Sequence, residues 1–539
     1  MDNYFVSSCK RVKDWICRQF GQKEKKTVHH KKFADGGEVI VWETGRAGEE
    51  AASYENLFLR KEIAGFRTNI RREQSCSIKS LTRDYLYKQL LSSGEYTFDH
   101  MLVIKDPYGE APLTALALFI LEEPACVRVT TKGNLKETDF VTELPKKKEH
   151  RVPILGMYAE KANDIVIEIL DDEGNCVKSH TFTIRTKRLP KSLRNVITVK
   201  KWTDKPAYSN IMINGGVKIH TCVFDIEGKI RYYLSRKPRG YGIFPLSDGH
   251  FFYMEKYISV PSYSNPQTVE SYDMDYFGRV FRTYLTEKGV HHTAEEKAGG
   301  NILTGSNSML EHTEDCVIEI DRQTGEIVWQ LNMAEIFDET YQNMMDWCHV
   351  NSAAYYEKDR TILISLRNVH AVICVDYDTK KLRWILSDPK FWEGTKMTPY
   401  LLQPEGDVKW CYQQHAAFEI ALPDESNPQK KRIIVYDNHW AKRRKAKSFD
   451  KDPLSYVSFY DIDEEKKSVS LHKRFAGPKT RIRANGIYVP DKKRVYNMAG
   501  SYAEPVDGDG GGIFEYDYET GEVLSEFGVK PGFFRAYPF

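Results

Sequence analysis

The chain has 539 residues, of which 41% are apolar and 12% aromatic, and it carries a net charge of +2. That length exceeds one ordinary core and predicts two or three domains, and the near-neutral balance excludes a global field that would recruit nucleic acid or a membrane surface. No run of about 18 apolar residues occurs and residues 1–30 lack an apolar signal core, so neither a membrane span nor N-terminal export is expected, and a cytoplasmic location is the expectation.

Taken in chain order, residues 1–95 read as a helical or irregular extension. Phe5, Cys9, Val12, Trp15, Ile16 and Phe20 recur at helical spacing among Lys10, Arg11, Lys13 and Arg18, which predicts a helix docked on protein. The stretch SLTRDYLYKQLLS (80–92) predicts a second helix. From residue 96 to 190 the texture changes to short strands, among them HMLVIKD, LTALALFILEE, DIVIEIL and CVKSHTFTIRTK. DDEGN supplies a hairpin turn, and strands with a turn signal about every ten residues predict a small β-sandwich.

Residues 191–539 repeat loosely. CVFDIEGKIRYYLS, CVIEIDRQTGEIVWQL, VICVDYDTKKLRWIL and IFEYDYETGEVLSEF each join two strands by a turn, and SYDMDYFGRVFRTYL and VSFYDIDEEKKSVSLHKRF fit the pattern less well. Six units of about 55 residues, lengthened by insertions at 256–270, 389–410 and 441–455, predict a six-bladed β-propeller. The 32 tyrosines and 26 phenylalanines suit such sheet faces. The fold class expected is therefore all-β. Ten cysteines without a CxxC pair read as buried packing residues rather than a disulfide framework.

A propeller brings the start of each unit's inner strand to one central channel. At that position the third unit offers His291 and His292, the fourth His349 and Asn351, the fifth His415, and the sixth Arg483 and Asn485. A lone histidine there would read as a packing residue. Three in register on adjacent units read as a site. His349 and Asn351 are two apart and share a face on an extended segment. Arg367 ends the next strand, which antiparallel pairing returns to the same rim. Such groups frame a pocket for an oxyanion.

The motifs resemble those of the aryl sulfate sulfotransferases. DWCHVNS is similar to that family's D-W-x-H-x-N-S, SLRN to its S-x-R-N/H, YQQHAA to its Q-H-A/D and IIVYDN to its F-D-N strand. HHTAEEKAGGNIL is similar to its H-H-D-x-x-x-x-P-N-G-N-x-L, and residues from 98 onward resemble its β-sandwich and propeller. The resemblance implies transfer of a sulfuryl group from a phenolic sulfate to a phenol, without a nucleotide sulfate donor. It implies a ping-pong route through a sulfated His415, with His349, His292 and Arg367 as further catalytic residues. Asn351, His291, Asn438, Arg483 and Asn485 are implied substrate-binding residues. No metal or cofactor is expected, the partners are a small-molecule donor and acceptor, and a homodimer is compatible with the chain.

Neutral imidazole is a nucleophile near pH 7, and covalent catalysis divides one hard displacement into two. Charge on the sulfuryl oxygens and the departing phenolic oxygen calls for positioned donors, which Arg367 and the other histidines supply. Which histidine handles the phenolic proton stays open at this level. Thr293 stands where the family has an acidic residue, leaving the orienting partner of His292 unassigned.

Two other functions fit parts of the pattern. A non-catalytic propeller could hold an anionic ligand with the same residues. The turn EIDRQTGEIVWQL resembles that of quinoprotein dehydrogenases, but six units and a His/Arg site favour taking Asp321, Gly325 and Trp329 as hairpin and packing residues. AKRRKAK (Lys442 to Lys447) reads as a solvated loop rather than a nucleic-acid patch, and Cys348 as packing rather than nucleophile.

Overall fold

The computed structural model describes residues 28–33, 37–44, 46, 47, 50, 75–203, 205–216, 219–236, 241–258, 267–308, 312–342, 344–422, 427, 429–440 and 452–539. The stripe Phe5–Phe20 and the basic run Lys442–Lys447 lie outside the described residues.

The first unit is built on two long strands, Ala115–Thr131 and Phe140–Ile154, paired antiparallel along most of their length. Their register shifts between Ile120 and Val127, around Pro124. Before the shift Ala115–Thr131 also pairs with His100–Lys105, and after it with Ala162–Leu170. A proline and a bulge at mid-strand thus let one strand serve two neighbours.

Two strands lie where the sequence predicts helix and loop. Val28–Lys32 and Glu38–Trp42 extend the same sheet, the latter pairing in parallel with His100–Lys105. The signal was present in EVIVW, a short β-branched run too brief to stand out. The expected helix at 80–92 begins earlier and spans Ser75–Ser92. It ends where Gly94 adopts φ +71, a conformation glycine enters without steric cost. Leu86, Tyr87 and Leu91 bury one face of it against Ile40, Trp42, Leu102 and Leu118.

Residues 197–538 form five further sheets. They are a four-stranded sheet from Asn210–Asn214, a seven-stranded one in chain order from Gly242–Pro245 to Ile327–Asn332, a four-stranded one in chain order from Val350–Tyr356 to Leu382–Leu386, and two of five strands. The arrangement is propeller-like and the protein is all-β in class. Many of the strands nearest the middle, such as Ile302–Ser306 and Thr361–Leu366, are buried throughout. Packed on both faces by neighbouring sheets, they read as nearly continuous apolar runs, whereas Ile327–Asn332 at a sheet edge is largely exposed.

The two ends of this region are tied to one another's sheets. Arg535–Pro538 pairs with Asn210–Asn214, and Ile197–Lys201 pairs with Val523–Val529. The repeated turns are held by their aspartates: Asp321 accepts backbone N–H groups from Gln323 and Thr324, and Asp517 from Glu519 and Thr520. Trp329 stacks on Tyr377 of the next sheet at 5.0 Å between centroids, and its indole N–H donates to the Tyr377 carbonyl. Asp321, Gly325 (φ +80) and Trp329 are thus hairpin and packing residues.

A buried ion pair fastens the first unit to the sheets. Arg231 and Asp225 are 0% and 1% exposed and meet at 3.1 Å. Arg231 also donates to the carbonyls of Gly156 and Thr138, and lies 4.0 Å from the Tyr158 ring centroid. Asp225→Ala leaves that guanidinium buried without its anion and is expected to lower unfolding stability by about 3 kcal/mol, read by denaturant titration. An unchanged midpoint would refute the clamp.

Candidate active site

The site forms where bulges interrupt three inner strands. The register of Val280–Glu296 shifts between His291 and Ala294, that of Val350–Tyr356 between Val350 and Ser352, and that of His415–Ile420 between His415 and Phe418. A bulge inserts a residue and re-aims side chains. Four residues at these places hold left-handed backbone, uncommon outside glycine: His292 (φ +58), His349 (+57), Ala416 (+49) and Arg483 (+65). Strained backbone recurs at the strand ends that carry the predicted residues.

His415 is 4% exposed. Its Nδ1–H donates to Asn438 Oδ1 at 2.6 Å, and the Asn438 amide is turned that way because its Nδ2 donates to Thr480. The lone pair is therefore on Nε2, which accepts the backbone N–H of Arg483 at 3.4 Å. Burial, and then the Arg367 charge, push the His415 pKa well below the usual imidazole value. The ring is neutral at pH 7, with its unprotonated nitrogen at the strand end.

Arg367 lies on the short turn Arg367–Val369, and its backbone N–H donates to the His349 carbonyl, which returns it to the rim as expected. Its guanidinium donates to Asn368 Oδ1 and to Gln413 Oε1, each at 3.0 Å. Gln413 is two residues before His415, so Arg367 and His415 share one place.

The other two histidines differ in charge. His349 Nδ1 lies 2.5 Å from Glu314 Oε2 and 2.9 Å from Asp346 Oδ2. Burial works against its protonation, but the two carboxylates outweigh it and raise the pKa to about 9. His292 packs 4.7 Å from the His349 ring. Its Nδ1 lies 3.2 Å from His291 Nδ1, and His291 Nε2–H donates to the Ser306 carbonyl. This chain fixes Nδ1–H on His292 and leaves its Nε2 bare, and burial lowers its pKa well below the usual value. Gly305 is required here, since a Cβ would lie 2.6 Å from the His291 ring.

Several residues expected to bind substrate make hydrogen bonds within the frame. His291 is fully buried and supports His292. Asn438 orients His415. Asn351 is fully buried and its amide donates to the Gln414 carbonyl at 2.8 Å, steadying the approach to His415. Asn485 donates to the Ala536 carbonyl and accepts the Ala536 N–H, tying its strand to Arg535–Pro538. Arg483 differs from these: its Nη1 is buried and has no hydrogen-bond partner among the described residues.

Three further participants escaped the sequence. Glu314 precedes an inner-sheet strand that is not the innermost, Tyr241 lies in a loop without a motif, and Asp346 is inside DWCH but three residues from the histidine it serves. Tyr241 donates to Glu314 Oε1 at 3.0 Å. Cys348 and Cys411 are buried packing residues, and burial pushes the Cys411 thiol up to about 12.

His291, His292 and Glu314, or Glu314, Asp346 and His349, could gather ligand atoms within 4.8 Å of one another. Ligands on one tetrahedral ion sit about 3.3 Å apart, whereas His349 and Glu314 meet at 2.5 Å as an ion pair. These groups neutralise each other.

A propeller-like β protein with neutral, cationic and arginine donors at one set of strand ends defines an anion-handling enzyme site. The chain belongs to the arylsulfotransferase family. The family model for arylsulfotransferase (ASST) matches residues 195–535, and the arylsulfotransferase Ig-like domain matches residues 102–187. The chain is 21% identical to the arylsulfate sulfotransferase AssT of Lelliottia amnigena and 22% identical to that of Escherichia coli O6:H1, over 79% of this chain and 90% of each relative. Among solved structures, an auxiliary nutrient binding protein from Bacteroides thetaiotaomicron is 13% identical over 77% of this chain and 94% of its own, with a TM-score of 0.33.

Proposed function

We propose that the chain moves a sulfuryl group from an aryl sulfate to a phenol in two half-reactions, with the phenolic ester rather than a nucleotide sulfate as donor. The observation that carries the reading is the neutral His415 ring, whose unprotonated Nε2 takes a long 3.4 Å contact from the Arg483 N–H, beside the Arg367 guanidinium and the His349 cation.

In the first half, the His415 Nε2 lone pair forms a bond to sulfur as the sulfur–phenolic oxygen bond breaks. Arg367 grips sulfuryl oxygens, and His349 Nε2–H gives its proton to the departing phenolate. In the second half a new phenol returns a proton to His349 while its oxygen attacks sulfur, and the electron pair returns to His415. Positioned donors stabilise the charge at each step. The bare Nε2 of His292 suits a phenol hydroxyl and repels a sulfuryl oxygen.

The frame for this chemistry is read as a six-bladed propeller over 191–539 after a β-sandwich over 96–190. The seven-stranded sheet counts as two blades, because Val280–Glu296 pairs with Gln267–Met274 through its first part and with Ile302–Ser306 through its last.

The test is a rapid-mixing experiment with a chromogenic aryl sulfate and no acceptor. One equivalent of phenol should appear in a burst, with sulfate bound to His415. Steady-state kinetics with varied donor and acceptor should give parallel double-reciprocal lines. A protein that only binds anions gives neither, and intersecting lines would favour direct transfer in a ternary complex.

A further inference from the structure

We infer that Glu314 is the positioning residue that sets the proton inventory of the site, holding His349 as the cation that protonates the leaving phenolate. This rests on the transfer reading given above and assigns a residue it did not need.

Glu314 is fully buried, yet it meets polar groups from three directions. Its Oε2 lies 2.5 Å from His349 Nδ1, its Oε1 accepts from the Tyr241 hydroxyl at 3.0 Å, and Oε1 is 3.7 Å from His292 Nδ1. Its own backbone is fixed as well. Glu314 holds φ +56, its N–H donates to Asn307 Oδ1 at 2.8 Å, and its carbonyl accepts the Val350 N–H at 2.7 Å. A carboxylate so placed cannot swing away, and the segments that carry Tyr241, His292 and His349 are locked to it.

An unpaired buried carboxylate is costly, so Glu314 is stable as an anion only while a cation faces it. Burial opposes its ionisation, but the facing His349 holds its pKa well below the usual value. The titratable and charged groups facing His349 are Glu314 from the neighbouring sheet, Asp346 from its own approach, and His291, His292 and His415 from the flanking strand ends, with Arg367 at the adjoining turn. His292 and His415 are neutral and Arg367 opposes protonation. The two carboxylates therefore decide it, and Glu314 is the closer. With Nδ1–H spent on them, the proton available to the phenolic oxygen is the one on His349 Nε2. Its transfer leaves neutral His349, a free phenol and sulfated His415, and the incoming phenol restores it.

Leaving-group dependence separates this role from a structural one. A 4-nitrophenolate departs without a proton, whereas an unsubstituted phenolate needs one. Glu314→Gln should lower kcat/KM for phenyl sulfate by about 10²-fold but for 4-nitrophenyl sulfate by less than about tenfold, and should move the basic limb of the phenyl sulfate profile to lower pH. Glu314→Asp, which keeps the charge, should recover part of the loss. Equal losses on both sulfates, or an unmoved limb, would overturn the assignment. Should the Gln variant fail to fold, the wild-type protein decides: the fall in rate above about pH 9 should be steep with phenyl sulfate and shallow with 4-nitrophenyl sulfate, and matching limbs refute the role. If wild-type His415 is never sulfated, the transfer reading itself fails. If it is sulfated while leaving-group dependence ignores Glu314, only this inference does.

Discussion

His415→Asn is expected to lower turnover of an aryl sulfate by about 10³-fold or more, while circular dichroism and the melting temperature stay close to wild type. Asparagine keeps polar atoms beside Asn438 but has no nitrogen lone pair to bond sulfur. The neutral state of His415 is owed first to burial and then to Arg367, so no other residue replaces what is removed. His292 also has a bare nitrogen, but its Nδ1 is fastened to His291. Residual turnover within tenfold of wild type would remove His415 as nucleophile.

Arg367→Lys should lose about 10²-fold in kcat/KM. A lysine retains the charge, so a change that depended on charge alone would be mild. The guanidinium does more: two of its nitrogens are anchored on Asn368 and Gln413, which fixes the plane in which its other N–H groups meet a ligand. An ammonium on a flexible stem has no such plane. Rates near wild type in this variant would exclude a two-oxygen grip. A fall in kcat with KM unchanged would place that grip in the transition state rather than in ground-state binding.

The repeated strand–turn–strand units were legible because hairpin aspartates and buried apolar runs have a local signature, visible at Asp321 and Asp517 without knowing the fold. His292, His349, Arg367 and His415 were legible for a different reason, since they recur at one position of each unit and motif similarity fixed the register. What the sequence hid is what depends on neighbouring sheets. Glu314 and Tyr241 reach the site from positions that no single-strand pattern marks. Asn485 looked like His415 in sequence position, yet its amide was taken by Ala536, a partner fifty-one residues away. The strands at 28–42 were missed because five residues of β-branched character cannot be distinguished from loop until a partner strand is known.

The pairing of Arg535–Pro538 with Asn210–Asn214 joins segments far apart in the chain and reaches the site. Arg535 donates to the Asn351 carbonyl at 2.8 Å, and Asn351 in turn holds the approach to His415. The half-finished ring exposes an unpaired strand edge at Asn210–Asn214, open to misassociation until a segment more than three hundred residues downstream arrives. The same pairing therefore both steadies the approach to His415 and covers that edge.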